Sequence, residues 1–456
     1  MSPPVGDTGG LTPRRSFSPV SLTGRVMPLL PPAYPGIRER GRARFTDLLS
    51  ADFAQAAVLL LLTGAMLRVL QINDYPPAAG GGAEVLLGRT LELLRARDVR
   101  ADVFTAADLP DARRTPRRYL DNPVARRALA ARLEALRPDV VHLHNFYHLL
   151  SPGILLELER YKQRRPLRVV MTAHDYHLVC PNSGGNWFAG HDAAQPIDPR
   201  RVGSLGYLLS RRWDGRGRAY SLLKLVQHLW AYHWRGATRA LDVVICPGRF
   251  MQHLVQPLGR PTCHLPPPIP PVAHRAGERP DVLHLTFAGR VGPEKGVAEF
   301  LRALPGDFAG QLTVVGDGPE LPRCRQVSRQ RRLAVRFLGR LPHEGALAEI
   351  ARAHVLVLPS RCLEGAPLTL VEALAVGTNV LASDLGGMRE IIEQAGVGYL
   401  FDPTDAASLA RQVARITADH AAGVLNRFDV SAFLAARGEE SYLRGLLRVY
   451  EGRQAA

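Results

Sequence analysis

The sequence predicts an α/β protein built from two Rossmann-like domains that face each other across a cleft. Three observations predict it. From Met66 to Cys246, short apolar strands alternate with helix-forming stretches, the pattern of a parallel sheet with right-handed crossovers. A second series of the same kind begins at Val282. Between the two lies a stiff segment holding Pro261, Pro266, Pro267, Pro268, Pro270 and Pro271, which can join neither a helix nor a central strand. Open α/β sheets bind ligands at the carboxyl ends of their strands, so two facing sheets predict one shared cleft.

In the first series the expected strands are Leu67–Ile72, Ala101–Thr105, Asp139–His144, Arg168–Thr172 and Asp242–Cys246, the last closing the sheet. A Gly-rich turn and a helix over Ala83–Ala96 follow the first strand. The stretch from about 200 to 240, with Trp213, Trp230 and Trp234 among arginines, reads as amphipathic helix. Packing explains those tryptophans better than contact with a lipid interface. The second series has strands at Val282–Phe287, Leu312–Val315, Val335–Leu338, Val355–Leu358 and Asn379–Ala382, and a final helical stretch over Val430–Val449. The domain bounds that follow are 66–265 and 272–429 for the two domains, and 430–456 for a helix packing back towards the first.

Residues 1–65 differ in kind. They are rich in Pro, Ser and Arg up to Phe45, and the apolar run Ala54–Leu62 is shorter than the roughly 20 residues a membrane span needs. We expect this segment to be disordered or a mis-assigned extension, with Met66 the natural start.

The chain carries 58 Lys+Arg against 42 Asp+Glu, a net charge of +16. Nucleic acid, an anionic membrane surface and phosphate-bearing small molecules all suit such an excess, as does simple compositional drift. No recognised nucleic-acid module or aromatic–basic motif is present, so nucleic acid is not an expected partner. The five cysteines, at 180, 246, 263, 324 and 362, show no metal-ligand spacing and read as free thiols. No metal and no cofactor are expected.

The most informative segment is Glu364-Gly-Ala-Pro-Leu-Thr-Leu-Val-Glu372. It follows a strand and runs into an apolar helix. Gly365 lets backbone approach a ligand, and the helix start that Pro367 leads into, at Leu368 and Thr369, presents unpaired N–H groups, a phosphate site by geometry. Glu364 in the loop and Glu372 on the helix reach one elongated ligand at different depths, and carboxylates there suit hydroxyls. Upstream, the loop Gly80-Gly81-Gly82 offers backbone N–H groups for phosphate or an acceptor. It is neither a dinucleotide fingerprint nor a P-loop. His142, His144 and Asn145 end one strand, and His174 and Asp175 follow another, on the site side of the sheet. His142 is expected to be structural, with its side chain pointing away from that of His144. His177, Cys180, Asn182 and Asn186 extend the second of these loops towards an acceptor.

These residues resemble a known family, the GT-B fold retaining glycosyltransferases called family 4, or group 1. Its signature pairs two glutamates separated by seven residues, as Glu364 and Glu372 are. Pro359-Ser360, Gly365, Pro367, Ala373, Gly377-Thr378 and the stretch Ala382–Glu390 also match. Gly289-Arg290 with Glu294-Lys295-Gly296 resembles the family's strand-to-helix turn, which implies that Arg290 and Lys295 clamp a diphosphate. Val315-Gly316-Asp317-Gly318-Pro319 resembles the turn that shapes the nucleotide pocket, and Gly339-Arg340 the strand end that meets the nucleobase. The resemblance covers about 66–450. It departs at Cys180, which lacks the further cysteines often found nearby, and at Ala366, where a bulky apolar residue is common.

The resemblance implies a retaining transferase using a nucleotide-diphosphate-sugar as co-substrate and a glycan or lipid-linked acceptor, in polysaccharide or cell-envelope glycan synthesis. Glu364 and His174 act on the donor sugar and Glu372 holds the ribose. Gly81 and Gly82 join the donor site; His144, Asn145, Asp175 and Asn182 take the acceptor, which makes 66–265 the acceptor-binding domain and 272–429 the donor-binding domain. A sugar-nucleotide epimerase on the same fold and a catalytically silent membrane-associated scaffold are the alternatives. The expected location is cytoplasmic, with peripheral placement on the inner face of a membrane left open.

Overall fold

The computed structural model describes residues 66–111, 116–189, 194–269 and 279–453. The expectations for residues 1–65 lie outside the described residues, as do Pro270 and Pro271 of the proline-rich segment.

Two six-stranded parallel sheets dominate. The first takes β1 (Arg68–Ile72), β2 (Arg100–Phe104), β3 (Val140–Leu143), β4 (Arg168–Thr172), β7 (Val243–Cys246) and β8 (Thr262–His264), in the order β2-β1-β3-β4-β7-β8. A small antiparallel hairpin, β5 (Asn186–Phe188) and β6 (Ala194–Pro196), stands apart from it. The second sheet takes β9 (His284–Ala288), β10 (Gln311–Val315), β11 (Ala334–Gly339), β12 (Val355–Leu358), β13 (Asn379–Ser383) and β14 (Tyr399–Phe401), in the order β11-β10-β9-β12-β13-β14. β3, β4, β7, β9, β12 and β13 are buried along their whole length, apart from a half-buried Arg68-like start at Arg168. That explains why they read as continuous apolar runs rather than as alternating ones.

The strand order reverses between β1 and β3 in the first sheet and between β9 and β12 in the second. Ligands bind at such switch points, outside the carboxyl ends of the strands. The loops that leave those four strands carry Gly80–Gly82, His144–Asn145, Gly289–Lys295 and Pro359–Glu364, the same segments the sequence singles out.

Three elements differ from expectation. Pro261 does not end the first sheet: β8 follows it directly and pairs with β7, and the Pro261 carbonyl accepts the Val244 N–H at 2.9 Å. A proline can sit there because β8 is an edge strand. The hairpin β5–β6 and the edge strand β14 have only three residues per strand, too few to show a period. The 200–240 stretch is not one helix but the helices Leu205–Leu209 and Arg218–His228, continued by a π-helical turn over Leu229–Trp234. Trp213 is fully buried and donates its indole N–H to the Leu208 carbonyl at 2.7 Å, whereas Trp234 is 70% exposed.

One hydrophobic core fills the second unit, around Leu285, Phe287, Leu356, Leu370 and Leu381. The first sheet has a core on each face. Leu70, Leu143, Val169 and Trp213 belong to one. The other packs Leu87, Leu91, Leu94 and Val170 against Leu443, Leu446, Val449 and Tyr450 of the last helix, Glu439–Tyr450. That helix is amphipathic, and its buried stripe lies on the first sheet. Arg89 fixes the contact with two parallel bonds to Glu439, at 2.5 and 2.6 Å, the fork geometry that favours arginine over lysine.

Candidate active site

Lys295 and Glu364 meet at the centre of the site. Lys295 closes a short 3-10 turn, Pro293–Lys295, after β9, while Glu364 sits in the loop after β12. The Lys295 Nζ lies 2.6 Å from Glu364 Oε1, and Ser360 Oγ donates to the same oxygen at 2.7 Å. Both charged side chains are largely buried, so the attraction is little screened. The Glu364 carboxylate holds the Lys295 ammonium above its ordinary pKa against an opposing desolvation. Glycine is obligatory just beyond, because a Cβ on Gly296 (φ +65°) would lie 2.3 Å from the Pro359 carbonyl oxygen.

Gly365 is where the two halves touch. A Cβ placed there would come within 3.3 Å of Met251 Cε and 3.8 Å of the His174 carbonyl oxygen. The Gly387 N–H donates to the Glu364 carbonyl at 2.8 Å, so helix Gly386–Ala395 supports the loop from behind. Pro367 caps helix Leu368–Ala375 without a side-chain bond, and the first N–H groups of a helix, here those of Leu368 and Thr369, have no partner within it. Glu372, four residues into that helix, accepts from His343 Nε2 at 2.9 Å. This bond raises the His343 pKa above its ordinary 6.5.

The remaining predicted donor-side residues surround this centre. Arg290 is exposed and pairs with Glu294 at 2.5 Å, so it stands at the rim rather than against Glu364. The turns after β9 and β10 interlock: a Cβ on Gly316 (φ +134°) would fall 1.8 Å from the Gly289 carbonyl oxygen. Gly339 accepts the Gly316 N–H at 2.7 Å. Gly81 caps helix Gly82–Arg95, and a Cβ on its neighbour Gly80 would lie 3.5 Å from Arg340 Nη2. The Gly-rich loop of the first half thus faces the strand end of the second.

The residues expected to take the acceptor are tied into the first half of the fold by hydrogen bonds. His144 is fully buried and lies behind His174: its Nδ1 is 2.7 Å from His174 Nε2 and its Nε2 is 2.7 Å from Gln71 Oε1. Asn182 spends its amide on the loop itself, accepting from Gly184 N at 2.8 Å and donating to the Trp213 carbonyl at 2.9 Å. Asn145 is anchored through its N–H to Asn73 Oδ1 at 2.9 Å. Asp175 accepts the His177 N–H at 2.9 Å, and burial pushes its carboxyl up to about 7. His177 and Cys180 are buried, the former between Tyr232 and Gln227. Asn186 is buried too, with its side chain against the Cys362 thiol.

His142 does not point away from His144. Their rings stack with centroids 4.5 Å apart, because residues two apart on a strand share a face. Burial keeps this trio neutral, helped at His142 and His144 by the neighbouring imidazoles: His142 is lowered to about 3, His174 to about 4, and His144 well below 6.5. Among the described residues, no group of three or more His, Cys, Asp or Glu is placed to hold a metal ion.

Sequence reasoning missed Ser360, His343 and Gln71. Ser360 stood inside a quoted motif, but nothing local reveals that it bonds to Glu364. His343 and Gln71 meet their partners only through the tertiary fold.

Comparison with known proteins gives the family and the fold. The family model for group 1 glycosyl transferases matches residues 274–428, and that for glycosyltransferase family 4 matches residues 80–273. The chain belongs to the group 1, family 4 glycosyltransferases of GT-B fold. Among curated relatives, it is 35% identical over 144 residues to a glycogen synthase of Mycobacterium tuberculosis, covering 30% of this chain and 34% of that protein. It is 37% identical over 129 residues to a phosphatidyl-myo-inositol mannosyltransferase of Mycobacterium leprae, covering 27% of this chain and 34% of the relative. The chain thus spans about a third of the length of these relatives. A sucrose-phosphate synthase from Thermosynechococcus elongatus shares the fold with a TM-score of 0.62 at 20% identity, covering 84% of this chain and 98% of that one. The Anabaena protein HepE, solved with UDP, superposes with a TM-score of 0.55 at 16% identity, covering 84% and 99%.

Proposed function

We propose that this protein is a retaining glycosyltransferase that moves a sugar from a nucleotide-diphosphate donor to a glycan or lipid-linked acceptor, in polysaccharide or cell-envelope glycan synthesis. The observation that carries the reading is the Lys295–Glu364 pair, 2.6 Å apart, set beside a free helix start and the His174 backbone. An ammonium and helix N–H groups suit the diphosphate, where negative charge grows as the sugar leaves. The carboxylate of Glu364 suits sugar hydroxyls.

In this reading Lys295, the N-terminus of helix Leu368–Ala375 and, from the rim, Arg290 hold the diphosphate. Glu372 takes the ribose hydroxyls and Gly339–Arg340 the base. The acceptor hydroxyl approaches on the leaving-group side. Its oxygen bonds to the anomeric carbon as the bond from that carbon to the diphosphate oxygen breaks, and its proton passes to that oxygen. The donor base is a matter for experiment, although HepE binds UDP. Excluding water favours transfer over hydrolysis.

No described helix is long and apolar enough to cross a membrane. In this proposal, association with an anionic surface rests on the basic first half, with a cytoplasmic, peripheral placement.

The test is to incubate the protein with each common sugar nucleotide and a set of glycan and lipid-linked acceptors, following nucleoside diphosphate release and product anomeric configuration. Release coupled to a product of the donor's own configuration supports the reading. Inverted product, or an epimerised donor without transfer, would overturn it.

A further inference from the structure

A continuous line of buried hydrogen bonds runs from the last helix of the chain to His174. Gln71 on β1 donates its amide N–H to the Tyr450 hydroxyl at 3.0 Å. Its amide oxygen faces His144 Nε2 at 2.7 Å, and His144 Nδ1 faces His174 Nε2 at 2.7 Å. On the other side, the Tyr450 hydroxyl meets His142 Nδ1 at 2.7 Å, and His142 Nε2 meets Thr172 Oγ1 at 2.7 Å. Gln71, His142 and His144 are fully buried, and Tyr450 is 1% exposed. No water can substitute for a missing link without opening the core, so each donor must find its acceptor within the line.

The line has one self-consistent polarity once the Gln71 amide is set. Its oxygen can only accept, so His144 carries its proton on Nε2. A neutral His144 then has a bare Nδ1, which must accept from His174 Nε2. That leaves His174 with a bare Nδ1, the ring atom outside the line. Which nitrogen of a histidine is protonated is fixed by the bond the other one makes, and here that bond is governed through two further residues. Tyr450 matters because its hydroxyl accepts the Gln71 N–H and gives its own proton to His142 Nδ1, whose Nε2–H then goes to Thr172 Oγ1. Without it, either end of the amide can turn towards His144.

We infer that Tyr450, through Gln71 and His144, is a positioning residue that fixes His174 as the Nε2-protonated tautomer, so that His174 presents an acceptor nitrogen to a hydroxyl of the bound donor sugar. The inference rests on the proposed function for the sugar, but the tautomer itself is a property of the unliganded chain. It also gives the C-terminal helix a part in the site. Tyr450 reaches across the first sheet's second core to a strand end that faces the cleft.

The experiment uses the full chain with 15N-labelled histidine, and assigns the ring nitrogens of His144 and His174 from their two-bond couplings. Wild type should show protonated Nε2 and bare Nδ1 at both. Tyr450→Phe should show mixed tautomers at both. Tyr442→Phe is the control: Tyr442 lies on the same helix and is equally buried, but bonds to Thr90 Oγ1 at 3.1 Å, and it should leave both tautomers unchanged. Should Tyr450→Phe fail to fold, Gln71→Met cuts the same line at its middle link and should give the same mixture. With a turned-over donor, Tyr450→Phe should lower kcat about fivefold, the worth of roughly one hydrogen bond, with KM for the donor little changed. Protonated Nδ1 at both residues in wild type, or unchanged tautomers in the cut variant, would overturn the inference. Mixed tautomers in a chain that turns over no sugar nucleotide would uphold the positioning line, overturn its hydroxyl-facing role, and count against the proposed function separately.

Discussion

The Glu390 carboxylate accepts the backbone N–H of Phe250 at 2.8 Å, with the neighbouring Arg249 N–H on its other oxygen, also at 2.8 Å. Glu390 stands on helix Gly386–Ala395 of the second unit, and Arg249 and Phe250 are the first two residues of helix Arg249–Val255 of the first. A carboxylate at a helix start satisfies unpaired N–H groups and opposes the helix dipole. Here it does so across the junction, beside Gly365, since a Cβ on Gly248 would lie 3.0 Å from the Gly365 carbonyl oxygen.

Glu390→Ala should therefore loosen the two halves as well as cap one helix poorly. We expect a loss of about 1–2 kcal/mol in denaturant unfolding, and faster hydrogen exchange at Arg249 and Phe250. Gln394, which donates to Glu390 Oε1 at 2.8 Å, should show a smaller effect when replaced by Ala.

Gly316 should tolerate no side chain. Its φ of +134° already disfavours one, and the Gly289 carbonyl oxygen occupies the space. Gly316→Ala should cost roughly 3 kcal/mol, at the upper end of single-site effects. Gly345→Ala, within helix His343–Arg352, meets only ordinary contacts at 3.6 Å and beyond. It should be neutral or stabilising by up to about 1 kcal/mol. Thermal melts of the two variants separate the cases.

The His343–Glu372 pair makes a titration prediction. His343 should titrate above 6.5 in the wild type and return towards the ordinary value in Glu372→Gln, read by the His343 ring proton shifts. Because the folded value is raised, the pair's contribution to stability is full below the unfolded pKa and is lost as pH rises through the folded one. His343 is 60% exposed, so that contribution should stay below about 1 kcal/mol.

Much of the fold was legible because buried parallel strands read as apolar runs bounded by glycine turns. β4 and β12 have the ends that the sequence implies, and the loops at the switch points carry the chemistry-bearing residues. Glu364, Lys295 and Gly365 were legible through motif spacing. What escaped was of two kinds. Strands of three residues, such as β8 and β14, are too short for any period. Side chains such as Gln71, Tyr450 and Glu390 take their meaning from partners more than a hundred residues away. The expectation for His142 failed on a different point, since a period of two puts it on the same face as His144.

The buried imidazoles predict acid sensitivity. Folded His142, His174, His228 and His354 titrate at about 3, 4, 3 and 4 instead of 6.5. Such lowered groups contribute stability that is intact above 6.5, and lose it as pH falls through about 4. Asp175, raised to about 7, and Asp74, also raised by burial, oppose this with the reverse sign, but two carboxyls do not offset several histidines. The melting temperature should hold between pH 8 and 7 and fall steeply from pH 6 to 4. A melting temperature level down to pH 4 would contradict the neutral, buried state of these rings.

The most direct test of the account is calorimetric titration of the protein with a panel of nucleoside diphosphates, beside Lys295→Ala. The account predicts that wild type binds at least one of them, and that Lys295→Ala binds it at least about tenfold more weakly, as loss of a largely buried charge-assisted contact requires. Failure of folded wild-type protein to bind any, or equal binding by Lys295→Ala, would contradict the assignment of the Lys295–Glu364 centre to a diphosphate donor.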